Sequence, residues 1–205
     1  MSKVKYFLQQ SWLLIVASFA FGLLLAAAEA AWQPRIEANK REKINTQVRE
    51  LIEGAEQSEL IAENVKVTNG AGVVNSDIYQ ATGQDDQILG YAFTAVGSGF
   101  ADKIQLIITT DDDFSNFLGY GVLSSNETPG FGDRIKNDYF RDQFEGAPAG
   151  ELELTKTGNP SAIDNEIVAI SGATVTSESV VEIFNTYVDD IEEELKSRGL
   201  AGDGK

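Results

Sequence analysis

The 205-residue chain contains no cysteine and no histidine. Without cysteine there is no disulfide, no thiolate-held iron–sulfur cluster and no cysteine nucleophile. Without histidine there is no Ser-His-Asp triad, no histidine-ligated haem and no ordinary catalytic zinc site. A redox role for such a chain requires a bound organic cofactor, because its own side chains supply no redox centre. Other signatures are lacking too. Gly97-Ser98-Gly99 and Gly119-Tyr120-Gly121 want the third glycine of a dinucleotide fingerprint, and no Gly-Lys-Ser/Thr follows a glycine-rich loop. Asp111-Asp112-Asp113 opens like a calcium loop, but Asn116 and Val122 stand where the loop needs Gly and Glu, so a solvated turn is expected. The Asn126-Glu127-Thr128 sequon is followed by Pro129 and is discounted as a glycosylation site.

Positive charge is scarce. The net charge is −16, and residues 33–205 carry 14 basic and 31 acidic side chains. Such a surface repels phosphate backbones, which argues against nucleic acid as a partner. It suits either plain solubility or the steering of a basic redox partner such as a cytochrome.

Between Trp12 and Trp32 the sequence is apolar apart from Ser18 and Glu29. About 20 such residues at 1.5 Å rise cross a hydrocarbon core of about 30 Å, and the terminal tryptophans fit an aromatic belt. Ala28-Glu29-Ala30 also resembles a signal-peptidase site. The run is long for a signal peptide and leads directly into a helical pattern, so a single-pass anchor is expected. Lys3 and Lys5 precede the run, while Arg35, Lys40, Arg41, Lys43 and Arg49 follow it; charge alone leaves the orientation open.

The rest of the chain reads as α+β: a mainly antiparallel sheet flanked by helices. A helix is expected from Pro34 to about Gly54, with Ile44, Val48, Leu51 and Ile52 on one face. Strands are expected at Ile61–Val67, Val73–Tyr79, Ile88–Val96, Lys103–Thr109 and Phe117–Leu123, with short ones near Leu152–Leu154 and Ile167–Ile170. A helix is expected at Asp133–Phe144, with Ile135, Tyr139 and Phe140 on one side. The last helix should run from about Thr176 to Arg198, burying Val180, Phe184, Tyr187, Ile191 and Leu195. The expected division is a tail and anchor (1–32), a connecting helix (33–58), the α+β domain (59–198) and a frayed tail (199–205).

Ser171-Gly172-Ala173-Thr174-Val175-Thr176-Ser177 joins a β run to that last helix. Gly172 permits a tight turn and close approach of a ligand. Thr176 or Ser177 is the expected N-cap, with Glu178 in the first turn, which places Thr174 just before a helix N-terminus that favours phosphate. On residue chemistry alone, a Ser/Thr cluster here is most simply a cap. A second segment, Asn126-Glu127-Thr128-Pro129-Gly130-Phe131-Gly132, has Pro-Gly at the central positions of a type II turn. Gly130 and Gly132 would leave room beside a flat ring, and Glu127 and Thr128 could hydrogen-bond it. Phe131 could stack on such a ring or simply pack.

Together these segments resemble the FMN-binding domain family, found in the G subunit of Rnf-type electron transport complexes and the C subunit of sodium-pumping NADH:quinone reductases. Ser-Gly-Ala-Thr resembles the family's flavinylation motif and Glu-Thr-Pro-Gly its upstream loop, with Phe131 in place of the usual aliphatic residue. Gly90-Tyr91-Ala92-Phe93 followed by Ile104–Ile108 is similar to the family's preceding strand pair. The length is nearer that of the Rnf G subunit.

The resemblance implies FMN, transferred from FAD by a flavin transferase and bonded through its phosphate to Thr174. The surrounding cofactor-binding set would be Ser171, Gly172, Ala173, Thr176, Ser177, Glu127, Thr128, Pro129, Gly130 and Phe131. It implies an electron-carrying, non-autonomous redox subunit among other membrane subunits of an ion-translocating complex that passes electrons between ferredoxin and NAD, with its soluble domain on the extracytoplasmic side. One departure stands out: the family often has an acid three positions before the motif's first residue, and here that position is Val168. A stand-alone tethered flavoprotein and a scaffold that has lost its flavin are the alternative readings.

Overall fold

The computed structural model describes residues 3–69 and 72–200. The chain divides into two compact units, residues 1–42 and 43–205. Helix α1, Lys3–Leu51, begins in the first unit and ends in the second, and Pro34 lies inside it. Its apolar part, at a mean hydropathy of 2.2 over an 18-residue window, is long and apolar enough to cross a membrane, and none of that window is buried by protein. Side chains such as Leu14, Phe19, Phe21 and Leu24 are exposed to the surroundings, as a lipid-facing helix requires.

In the second unit, five strands form an antiparallel meander in the order β1-β2-β3-β4-β5: Gln57–Asn69, Gly72–Thr82, Ile88–Ser98, Lys103–Thr110 and Phe117–Ser125. All five expected strands are present, each lengthened by one to six residues. Alternation places Ile104, Leu106 and Ile108 of β4 on one face and Ile107 on the other. On the second face, Ile44, Val48 and Ile52 pack against Tyr79, Ala81, Ala92 and Ile107.

The first face carries the larger core beneath helix α3, Thr174–Ser197. All five residues of the expected stripe, Val180, Phe184, Tyr187, Ile191 and Leu195, are fully buried. Phe184 makes ring contacts with Phe117, Tyr120 and Phe144 at centroid distances of 4.8, 5.6 and 4.6 Å. The Tyr187 hydroxyl bridges β3, accepting from Val96 N–H at 2.9 Å and donating to Val96 O at 3.1 Å; burial raises its pKa above the ordinary 10.0. Gly97 lets α3 close on the sheet at that level, since a Cβ there would lie 2.4 Å from Ile183 Cγ1.

Two expectations are corrected. The helix expected over Asp133–Phe144 is three short pieces: a 3₁₀ turn at Gly132–Lys136, helix α2 at Asp138–Arg141 and a second 3₁₀ turn at Asp142–Phe144. Asn137 sits between the first two in extended conformation, at φ −84° and ψ 143°. That break resets the helical phase, so Ile135 and Phe140 are buried while Tyr139 faces solvent. The tail expected to fray from Gly199 is ordered at its start. Gly199 (φ +68°) closes α3, with its N–H to Lys196 O and Leu200 N–H to Leu195 O, both at 3.0 Å, the Schellman pattern. Leu200 packs on the core, and its carbonyl accepts from Tyr91 Oη. Residues 201–205 lie outside the described residues. Strands β6, Glu153–Thr155, and β7, Glu166–Val168, pair in parallel beside this core and lead into the segment before α3.

Candidate functional site

Three chain segments meet at the N-terminal end of α3. The first is the approach to the helix. Ala173 N–H donates to Ile170 O at 2.9 Å across Ser171 and Gly172, and Gly172 has φ +83°. This tight turn starts the helix at Thr174, earlier than the sequence suggests. Thr176 and Ser177 are therefore not its cap, and Glu178 is not in its first turn. The serine and threonine hydroxyls do other work. Ser177 Oγ accepts from Ile170 N–H and donates to Ala173 O, each at 3.0 Å, locking the turn onto the helix. Thr176 Oγ1 donates to Glu127 Oε2 at 2.8 Å.

Ala173 occupies the N-cap position and no side chain caps the helix. The amides of Thr174, Val175 and Thr176 fall in the first turn, where backbone donors have no partner within the helix. Their summed dipoles present partial positive charge to whatever lies beyond. Thr174 is partly exposed at the very start of the helix, so its hydroxyl stands beside those donors.

The second segment is the loop after β5. Phe131 N–H donates to Thr128 O at 3.1 Å and Gly130 has φ +78°, as the type II turn expected for Thr128-Pro129-Gly130-Phe131 requires. Gly130 faces open space, whereas Gly132 is packed: a Cβ there would lie 2.6 Å from Glu127 Oε2 and 2.8 Å from Thr176 Oγ1. The space that a side chain at Gly132 would take is occupied by the Glu127 carboxylate and the Thr176 hydroxyl, and Gly132 itself lines the cavity described below. Phe131 is 55% exposed, and its ring edge lies against Gly172, 3.4 Å from where a Cβ would be.

The third segment, the β3–β4 turn, carried no sequence signal. It presents Phe100, 68% exposed. The turn is closed by Gly99 N–H to Asp102 O at 2.8 Å and gripped from the loop after β5 by two successive side chains. Asn126 donates to Asp102 Oδ2 at 2.9 Å, and Glu127 Oε1 accepts from Ala101 N–H at 3.0 Å. The Asn126 amide, then the Lys103 N–H, hold the Asp102 carboxyl below its ordinary 3.8. A group depressed in the folded state contributes stability above its unfolded pKa and loses it as pH falls through the folded value. A carbonyl-detected NMR titration should therefore place Asp102 below 3.8, and Asn126→Ala should raise it.

These segments enclose a cavity of about 470 Å³ lined by Phe100, Glu127, Thr128, Phe131, Gly132 and residues 172–176. That volume is within the roughly 300–1,000 Å³ common for organic ligands. Three exposed apolar side chains, Phe100, Phe131 and Val175, form its rim. Among the described residues no basic side chain lines it, so a phosphate there would be met by the first-turn amides. Apolar surface for a flat ring and uncapped amides for a phosphate fit FMN.

Of the residues named from sequence, Gly172, Ala173, Thr174, Thr176, Glu127, Thr128 and Phe131 line the cavity together. Ser171 and Pro129 are exposed nearby but do not line it, nor does Gly130, and Ser177 is fully buried beneath. Glu127 is 6% exposed, with Oε2 accepting from Thr176 Oγ1 and Oε1 from Ala101 N–H. Val168 ends β7 away from the cavity, with its backbone bonded to the Gln143 amide on both sides, N–H to Oε1 at 2.8 Å and O from Nε2 at 3.3 Å.

Comparison with known proteins agrees with this geometry. Residues 99–189 match the FMN-binding domain family. The chain is 28% identical to the G subunit of an ion-translocating oxidoreductase complex from Methanosarcina acetivorans, over 86% of this chain and 89% of that protein. It is 27% identical to the G subunit of the proton-translocating ferredoxin:NAD(+) oxidoreductase complex of Clostridium ljungdahlii, over 87% and 88%. Among solved structures, NqrC of Shewanella oneidensis shares the fold at a TM-score of 0.57 and 18% identity, covering 70% of this chain and 72% of that one. The matched residues begin at the β3–β4 turn and run through both cavity-forming motifs into α3, and over them the chain is similar to the FMN-binding domain family.

Proposed function

We propose that this chain is the electron-carrying flavoprotein subunit of a membrane-bound, Rnf-type ion-translocating oxidoreductase complex, with FMN joined through its phosphate to Thr174 Oγ1. The observation that carries the proposal is the uncapped start of α3: Thr174 is its first residue, beside unpartnered first-turn amides, at the edge of an apolar-rimmed cavity. Similarity to G subunits along most of the chain supports the assignment to a complex.

When bound, FMN supplies a centre that takes and gives electrons singly or in pairs. The protein's part is to hold it. Thr174 Oγ1 exchanges its proton for the phosphoryl group, which a flavin transferase delivers from FAD with AMP leaving. The N–H groups of Thr174, Val175 and Thr176 compensate the phosphodiester charge. Phe100, Phe131 and Val175 cover apolar ring surface and exclude water. The attachment prevents cofactor loss from a domain that we place on the extracytoplasmic side, held by α1 next to the other membrane subunits. A basic redox partner, such as a cytochrome, suits the acidic surface.

Intact-mass measurement tests the attachment. Full-length chain made with a flavin transferase should gain the mass of FMN less one water, and peptide mapping should place the gain on the segment containing Thr174. An unmodified mass, with transferase activity verified on another substrate, would remove the proposal's central element.

A further inference from the structure

Glu127 is a buried carboxyl held by neutral groups. It is 6% exposed, and its hydrogen-bond partners are two neutral donors, Ala101 N–H at 3.0 Å and the Thr176 hydroxyl at 2.8 Å. Removing a carboxylate from water is costly, and an apolar side chain of similar volume fills such a space without that cost. The surroundings are shaped to the carboxylate itself. A Cβ at Gly99 would lie 2.3 Å from Oε1, and one at Gly132 would lie 2.6 Å from Oε2. Two glycines from different segments therefore admit this one side chain, and it reaches a third segment through Thr176.

We propose that Glu127 is a positioning residue: it ties the first turn of α3 to the β3–β4 turn and so holds the Thr174 hydroxyl and Phe100 in register across the cavity. The inference rests on the reading of Thr174 as the attachment point. Thr176 is two residues from Thr174 in the same helical turn, so a displacement of one moves the other. Ala101 is next to Phe100, so the Oε1 bond fixes the aromatic rim. A misplacement of about 1 Å at a reacting group costs on the order of 100-fold in rate, and a hydrogen bond to a charged group is among the stronger ones in a folded chain. The neighbouring Asn126–Asp102 bond holds the other end of the same turn, which leaves the helix side of the tie to Glu127.

The test uses the full-length chain with limiting flavin transferase, and reads the initial rate of covalent loading by in-gel fluorescence. Glu127→Ala should slow loading about tenfold or more. Thr176→Val, which keeps the shape and removes the donor, should slow it in the same direction. Glu127→Gln should restore most of the rate, because its amide oxygen still accepts from Ala101 and its NH₂ can donate to a rotated Thr176 hydroxyl. Hydrogen exchange on the unloaded chain supplies a flavin-independent reading. In Glu127→Ala the hydrogen-bonded amides of Gly99, Ala101 and Ser177 should exchange faster by about tenfold, while Ile104–Ile108 in the sheet stay protected. Wild-type loading by Glu127→Ala with unchanged exchange would overturn the inference, as would faster exchange throughout the sheet or a Glu127→Gln variant as impaired as Glu127→Ala. If the wild type itself does not load, the Thr174 reading fails, and the exchange pattern alone decides whether Glu127 ties the two segments.

Discussion

Thr174→Ala, made as full-length chain beside the wild type with a flavin transferase present, is expected to give a denatured band that is dark under ultraviolet light where the wild-type band fluoresces. The loss should be complete to background, because a phosphoester needs a hydroxyl and the alternatives are badly placed. Ser177 Oγ is fully buried and bonded to Ile170 and Ala173. Thr176 Oγ1 is buried and donates to Glu127. Ser171 is exposed but lies outside the cavity, and Thr128 lines it from the loop after β5 rather than from the start of α3. Thr174→Ser keeps the nucleophile and should keep the fluorescence. Thr174→Ala removes a partly exposed side chain, so its stability should stay within about 0.5 kcal/mol of wild type, and thermal melting of unloaded protein checks that the dark band is not misfolded chain. A Thr174→Ala band as bright as wild type would move the attachment to Thr128 or Ser171.

Phe184→Ala should produce the largest loss of stability. Phe184 is fully buried and stands at the centre of the ring cluster with Phe117, Tyr120 and Phe144. Truncating such a ring costs about 3–5 kcal/mol through lost burial and the cavity left behind. For a domain of this size each kcal/mol shifts the midpoint by roughly 2–4 °C, so a fall of about 10 °C in the thermal unfolding of the full chain in detergent is expected. The consequence for the site is indirect. Phe184 does not line the cavity but holds α3 to the sheet, so Thr174 should still be loaded well below the new midpoint. A shift under about 2 °C would mean that the cluster repacks around the void and contributes less than its burial implies.

Much of the architecture was legible because it rests on local periodicity. The α3 stripe of Val180, Phe184, Tyr187, Ile191 and Leu195 follows from helical spacing, and all five are buried. The five strands of the meander were separable because Gly, Asn and Asp clusters divide them. The type II turn at Thr128–Phe131 was readable from Pro-Gly, since only those residues suit both central positions so well. The break at Asn137 was not readable. Nothing local forbids a continuous helix there, and the three short pieces follow Ile135 and Phe140 into the core, with Tyr120 Oη donating to Ile135 O at 2.6 Å.

The site divides along the same line. The sequence by itself determined the long apolar N-terminal helix, the α+β class, the family likeness and Thr174 as the residue of interest, because these reside in contiguous segments whose chemistry or resemblance can be read in place. Only the tertiary structure decided that α3 begins at Thr174 rather than Thr176, that Phe100 joins the rim from the β3–β4 turn, and that Glu127 is held by Thr176 and Ala101. The last two depend on groups distant in the chain that meet only when α3 packs on the sheet, whereas the helix start is set by the Ile170–Ala173 turn and the Ser177 bonds that lock it, a choice among hydroxyl-bearing caps that composition alone does not make.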